Sequence, residues 1–104
     1  MGLFRRKKKP SPEVETAVKE ITLLLRRYSK YAFGEDKDED SIQYKAYWAI
    51  VTSLQSGHNE VIDRFGRNRV EVMSARQSWA LDLLLKEGNE DVRTEILMTD
   101  LSAV

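Results

Sequence analysis

Apolar residues recur at three- and four-residue spacings through most of the chain. Val14, Ala17, Val18, Ile21, Leu24, Leu25 and Tyr28 fall on one stripe of a helix. Ser11 is a capping residue, Pro12 suits the first helical position, and Glu13 and Glu15 complement the helix dipole. Arg26, Arg27 and Lys30 come late, where cations are favoured, and Gly34 offers a left-handed stop. The pattern predicts a helix over about 12–33.

Ser41 then caps a second helix, from Ile42 to about Ser56, closed by Gly57. Its stripe is Tyr47, Ile50, Val51 and Leu54, and Ala46 and Ala49 permit close approach of a neighbour. Trp48 lies beside the stripe. Tyr28, Tyr31 and Phe33 are expected to meet Tyr44, Tyr47 and Trp48 where the two helices join.

Asn59 starts a third helix with Val61, Ile62 and Phe65 as its apolar residues. The stretch "GRNRVEVM" permits two readings. Val70, Glu71 and Val72 alternate as in a short strand. The recurrence of Phe65, Val72 and Trp79 at seven instead suits one long kinked helix over 59–87. Ser74 with Gln77 makes a capping-box pattern, so residues 75–87 are helical either way. Trp79, Leu83 and Leu84 are expected to point inward, with Gly88 as the stop. Asn89 caps a last, weaker helix through Val92, Ile96 and Leu97, fraying toward Val104.

Short connections between such helices predict an all-α fold, a small helical bundle of four to five helices. No segment has the several alternating strands that a sheet needs. With 104 residues the chain makes one domain, expected over 11–104, behind a disordered basic tail over 1–10. There is no cysteine, which excludes disulfides, thiolate metal sites and cysteine nucleophiles. There is no apolar run of membrane-spanning length, and the first cations lead into Pro10-Ser11-Pro12 instead of a signal-peptide core. A cytoplasmic protein is expected, with the inner face of a membrane as a second place.

The zero net charge conceals two regions. Residues 1–9 hold five of the 17 basic residues and no acid, so the remainder carries 12 basic and 17 acidic residues, a net of −5. An acidic body is a poor general binder of polyanions. Attraction to phosphate must come from Arg5, Arg6, Lys7, Lys8 and Lys9, or from the cluster Arg64, Arg67, Arg69 and Arg76. A helix-turn-helix reading would place its turn at Gly66, where Ile62 stands in place of the usual small residue and Glu71 would face the groove.

Catalytic chemistry finds no support. Asp36, Asp38 and Asp40 open like a calcium loop, but Ser41 and Tyr47 stand where the loop needs glycine and a bidentate glutamate. His58, between Gly57 and Asn59, lacks nitrogen or sulfur co-ligands, and no Gly-x-Ser-x-Gly elbow exists to present a serine to it. No glycine-rich phosphate loop occurs. Neither a metal nor a cofactor is expected, and the chain is expected not to be an enzyme.

"MGLFRRKKK" does not choose among polyanions. Arg6 replaces the serine or threonine of a myristoylation motif. At about 1 kcal/mol per cation, five give on the order of 5 kcal/mol at an anionic membrane. On DNA the same five give a log–log salt slope near about −4.5. This opening resembles the starts of various peripheral membrane proteins and some phage structural proteins, over nine residues that define no family. The leading expectation is a non-catalytic protein-interaction or assembly (adaptor) module. Its contacts are residues 64–76 and, as an auxiliary, the tail, and its partner is another protein or a second copy bound through spare apolar surface such as Leu85 or Leu97. A nucleic-acid-binding regulator using Arg64, Arg67, Arg69, Arg76 and the tail is the alternative. A peripheral membrane protein anchored by residues 2–9 is the second.

Overall fold

The computed structural model describes residues 11–87 and 90–103. Among them run α1 (Pro12–Ala32), α2 (Ile42–Ser56), α3 (Glu60–Phe65), a 3-10 segment (Gly66–Glu71), α4 (Ala75–Lys86) and α5 (Glu90–Ala103). No strand occurs among the described residues. None of their helices is long and apolar enough to cross a membrane. The expected basic tail over 1–10 and the roles given to Gly88 and Asn89 lie outside the described residues.

α1 is the element on which the others pack. Ser11 Oγ accepts the Val14 N–H at 3.2 Å, and Pro12 occupies the first turn. Val14, Ala17, Ile21, Leu24 and Leu25 are buried along a stripe that meets chiefly α4, then α2 and α5. Phe33 leaves the helix in extended conformation and Gly34 follows with φ +81°, the left-handed region expected for it. Asp38 N–H then donates back to the Tyr31 carbonyl at 3.0 Å, which folds the acidic loop onto the end of α1.

α2 is capped by Ser41, whose Oγ accepts the Tyr44 N–H at 3.0 Å. Ala46, Tyr47, Ala49, Ile50 and Leu54 are all buried, so small and large residues alternate against the neighbours. Of the expected aromatic cluster, Phe33 meets the α2 rings, whereas Tyr28 and Tyr31 lie edge-on to each other at 6.5 Å and Tyr28 turns its hydroxyl toward Val72. Phe33 lies edge-on to Tyr47 and to Trp48, each at 5.6 Å between ring centroids, and Tyr44 and Tyr47 also meet Trp48.

The turn from α2 into α3 is held by three side chains. Ser53 is fully buried in α2, donating its hydroxyl to the Ala49 carbonyl at 2.8 Å and accepting the Glu60 N–H at 2.8 Å. Arg93 on α5 donates from Nη1 to the Leu54 carbonyl at 2.9 Å, placing a cation on the C-terminal end of α2. Gly57 has φ +80°, and a Cβ there would lie 3.1 Å from Arg93 Nη1. Asn59 caps α3 by accepting the Ile62 N–H, and its Nδ2 donates to Asp82 Oδ1 on α4 at 2.7 Å.

Residues 66–73 follow neither reading of the sequence. Gly66, at φ +54° and ψ −127°, breaks α3 after Phe65, which excludes a continuous helix. Val70 is 72% exposed while Val72 and Met73 are each 2% exposed. A strand would put Val70 and Val72 on one face and Met73 on the other. A 3-10 turn instead swings both neighbours inward. Tyr28 on α1 fastens its end, donating its hydroxyl to the Val72 carbonyl at 3.0 Å. The capping box of α4 is present, with Ser74 and Gln77 exchanging both bonds.

α4 is rotated from the expected phase. Ala80, Leu81 and Leu84 are buried, Leu83 is half-buried, and Trp79 is 39% exposed at the edge, against the Arg76 guanidinium at 5.6 Å. Leu85 and Leu97, expected as spare surface, pack against the core. Among the described residues, the large apolar side chains on the outside are Leu23, Ile62, Val70, Trp79 and Met98.

Ser53→Ala removes the acceptor of the Glu60 N–H and opens the α2–α3 joint. A loss of about 1–3 kcal/mol is expected, measured by urea denaturation with the m-value unchanged.

Candidate functional site

The four arginines singled out in the sequence separate into two groups. Arg76, on the first turn of α4, is taken by the bundle. Its Nε donates to Glu20 Oε2 on α1 at 2.8 Å and its guanidinium lies over Trp79. Arg64, Arg67 and Arg69 sit on α3 and the 3-10 segment, and none of them has an ion pair within 4.0 Å among the described residues. Glu60, Asp63 and Glu71, the acids nearest in sequence, do not consume them. Arg64 and Arg67 are exposed. Arg69 is half-buried, and its Nη1 makes a long contact of 3.5 Å with the Gly66 carbonyl.

The backbone under these arginines is well fixed. The Arg69 carbonyl accepts the N–H of both Val72 and Met73, at 3.0 and 2.9 Å. Val72 and Met73 are seated in the core and Tyr28 holds the Val72 carbonyl. Burial raises the Tyr28 hydroxyl above its ordinary value of 10.0, so the phenol stays a donor at neutral pH. An open hollow beside the segment is lined by Asp40, Ile42, Lys45, Arg64, Phe65 and Glu71. It brings the start of α2, with the last acid of the loop, next to the basic segment.

The acidic loop is organised by its own chain. Asp38 Oδ1 accepts the Asp40 N–H at 3.1 Å, and the Asp38 carbonyl accepts both the N–H and the hydroxyl of Ser41. Lys37 pairs with Glu39 at 3.1 Å on the surface. Tyr47, at the twelfth position of the calcium pattern, is a core residue at 1% exposure. Calcium-loop geometry is therefore not available here.

His58, Glu60 and Asp63 form a cluster that the sequence reading did not assemble. Their ligand atoms lie within 4.8 Å of one another, close enough to surround a divalent cation after small rotations. His58 Nε2 is engaged by Asp63 Oδ2 at 2.7 Å, and a metal would have to displace that bond. Spacing could have suggested it, because residues 58 and 63 face each other across the start of α3 while Asn59 holds the cap. The basic residues Arg5, Arg6, Lys7, Lys8 and Lys9 lie outside the described residues.

Comparison with protein-family models, curated proteins and solved structures finds no match to this chain.

The hydrogen bond that His58 Nε2 donates to Asp63, together with the Asp63 charge, raises the His58 pKa above its ordinary 6.5. The folded state therefore holds this proton more tightly than the unfolded chain. The resulting stabilisation is full below pH 6.5 and is lost as pH rises through the raised value. Thermal melts between about pH 5 and pH 8 are expected to show Tm falling across that window, and Asp63→Asn to flatten this component.

Proposed function

We propose that this protein is a non-catalytic interaction module that binds another protein through the arginine-bearing segment 64–69. The observation that carries this reading is the set of three arginines without acidic partners among the described residues, Arg64 at the end of α3 and Arg67 and Arg69 on the 3-10 turn, in a segment that also exposes Val70 and Ile62. Arginine is one of the residues enriched at interface hot spots. Its planar fork matches carboxylates two bonds at a time. Arg76 belongs to the fold in this reading, since it joins α4 to α1.

Nucleic acid is the second reading, favoured by the same unpaired arginines. Against it, the element after Gly66 is a 3-10 segment of six residues, about 12 Å long, where a recognition helix would stand. Peripheral membrane attachment rests on residues 2–9.

The test replaces Arg64 and Arg67 by alanine in the full chain. Photocrosslinking from a position beside Val70 in cell lysate is expected to yield a discrete protein adduct that the double variant loses. Unchanged adducts in the variant would refute the reading. If instead duplex DNA is bound and the double variant lowers the magnitude of its log–log salt slope by about 1.8, two phosphate contacts have been lost and the nucleic-acid reading replaces it.

A further inference from the structure

We propose that the partner of the arginine segment is a second copy of this chain, joined by a two-fold interface between the arginine segment and the acidic loop. The inference rests on the reading of 64–69 as a protein-binding surface and names its occupant.

The two charged regions share one end of the bundle. The acidic loop is tied to α1 at the Tyr31 carbonyl, and the 3-10 segment is tied to the same helix one turn earlier, at Tyr28. Asp40 and Arg64 line the same hollow. Residues 35–40 carry five acids and one lysine, a net of −4. Lys45, Arg64, Arg67 and Arg69 with Glu71 carry a net of +3. Side by side, these halves make a bipolar patch.

The halves do not neutralise each other within the chain. Among the described residues no ion pair joins the loop to the arginines. The loop's shape is fixed by Asp38 and Ser41, and the arginine segment's by Val72, Met73 and Tyr28. The backbone of each half is thus held by contacts that do not involve the other.

A two-fold axis resolves this geometry. It apposes one surface to its own copy, so a patch with one acidic and one basic half meets its complement twice. Each copy's arginines then face the other's Glu35, Asp36 and Asp40, and Val70 of the basic half becomes covered. A uniformly charged patch would repel its copy, and a patch already neutralised by internal pairs would gain nothing from one.

The experiment is sedimentation velocity on the full chain at about 100 µM, in about 0.1 M and about 1 M salt, where the screening length falls from about 10 Å to about 3 Å. A dimer is expected at low salt, with its Kd raised at least tenfold at high salt. Arg64→Glu with Arg67→Glu makes both halves acidic, and Glu35→Lys with Asp36→Lys and Glu39→Lys makes the acidic half basic. Each variant is expected to be monomeric by itself, and an equimolar mixture to regain the dimer. Circular dichroism checks that both retain their helices. The wild-type salt comparison carries the test if either does not. A wild-type monomer at low salt, a dimer indifferent to salt, or variants that dimerise like the wild type would each overturn the inference. A wild-type monomer would leave the broader reading standing, because the lysate crosslink depends on Arg64 and Arg67 whichever protein is captured.

Discussion

The buried stripe of α1 sets the arrangement of everything else. Val14, Ala17, Ile21, Leu24 and Leu25 are almost wholly shielded from water, and they are shielded by three different helices. Burying a leucine or isoleucine contributes about 1.5–3 kcal/mol, so the stripe is worth more than any polar contact in the molecule. It is also long. At about 1.5 Å per residue the 21 residues of α1 span about 30 Å, enough for α2, α4 and α5 to lie against one helix. The shorter elements have no such face. α3 buries Val61 and exposes Ile62, so its place is decided by what it is tied to.

Those ties are polar and concentrated at the α2–α3 joint. Ser53, Arg93, Gly57 and Asn59 each satisfy a backbone group or a side chain that a helix end leaves open. Their effect is directional. They turn the chain sharply after α2 and send α3 back toward the acidic loop, where Arg64 comes to line a hollow with Asp40. Hydrophobic burial places the large helices, and hydrogen bonds at helix ends aim the small one that bears the charges.

The sequence was legible where one rule governed a segment. The first two helices begin and end as their caps and periodicity predict, because Ser11, Ser41 and Gly57 carry backbone preferences that no distant contact overrides. The capping box at Ser74 and Gln77 was legible for the same reason. Residues 66–73 were not. Their alternation satisfied a strand and their heptad satisfied a helix, and the outcome turned on Gly66 and on the anchoring of Val72 by Tyr28, 44 residues away. Trp79 misled because apolarity does not give phase. Ala80 and Leu81 won the inner face of α4, and Trp79 found an arginine at the edge. Of the candidate site residues, sequence proximity grouped Arg76 with the other three. Glu20, 56 residues earlier, removes it from them.

That redistribution of arginines explains how a chain of zero net charge can present strong local charge. One cation is spent joining two helices, and Arg93 is spent closing the end of α2. The charges of the loop and of the 3-10 segment are placed by backbone geometry, not by attraction. The acids of 35–40 stay in a loop that caps itself, and Arg67 and Arg69 stay on a turn pinned from below. Charges of opposite sign on a mobile surface would pair and screen one another at little cost. Held apart on fixed backbone, they retain a field that falls off over roughly 10 Å in ordinary salt, about the distance at which a second surface begins to feel it. The rigidity of the 3-10 turn is thus the property that makes its arginines available, and it derives from Val72, Met73 and Tyr28 rather than from the arginines themselves.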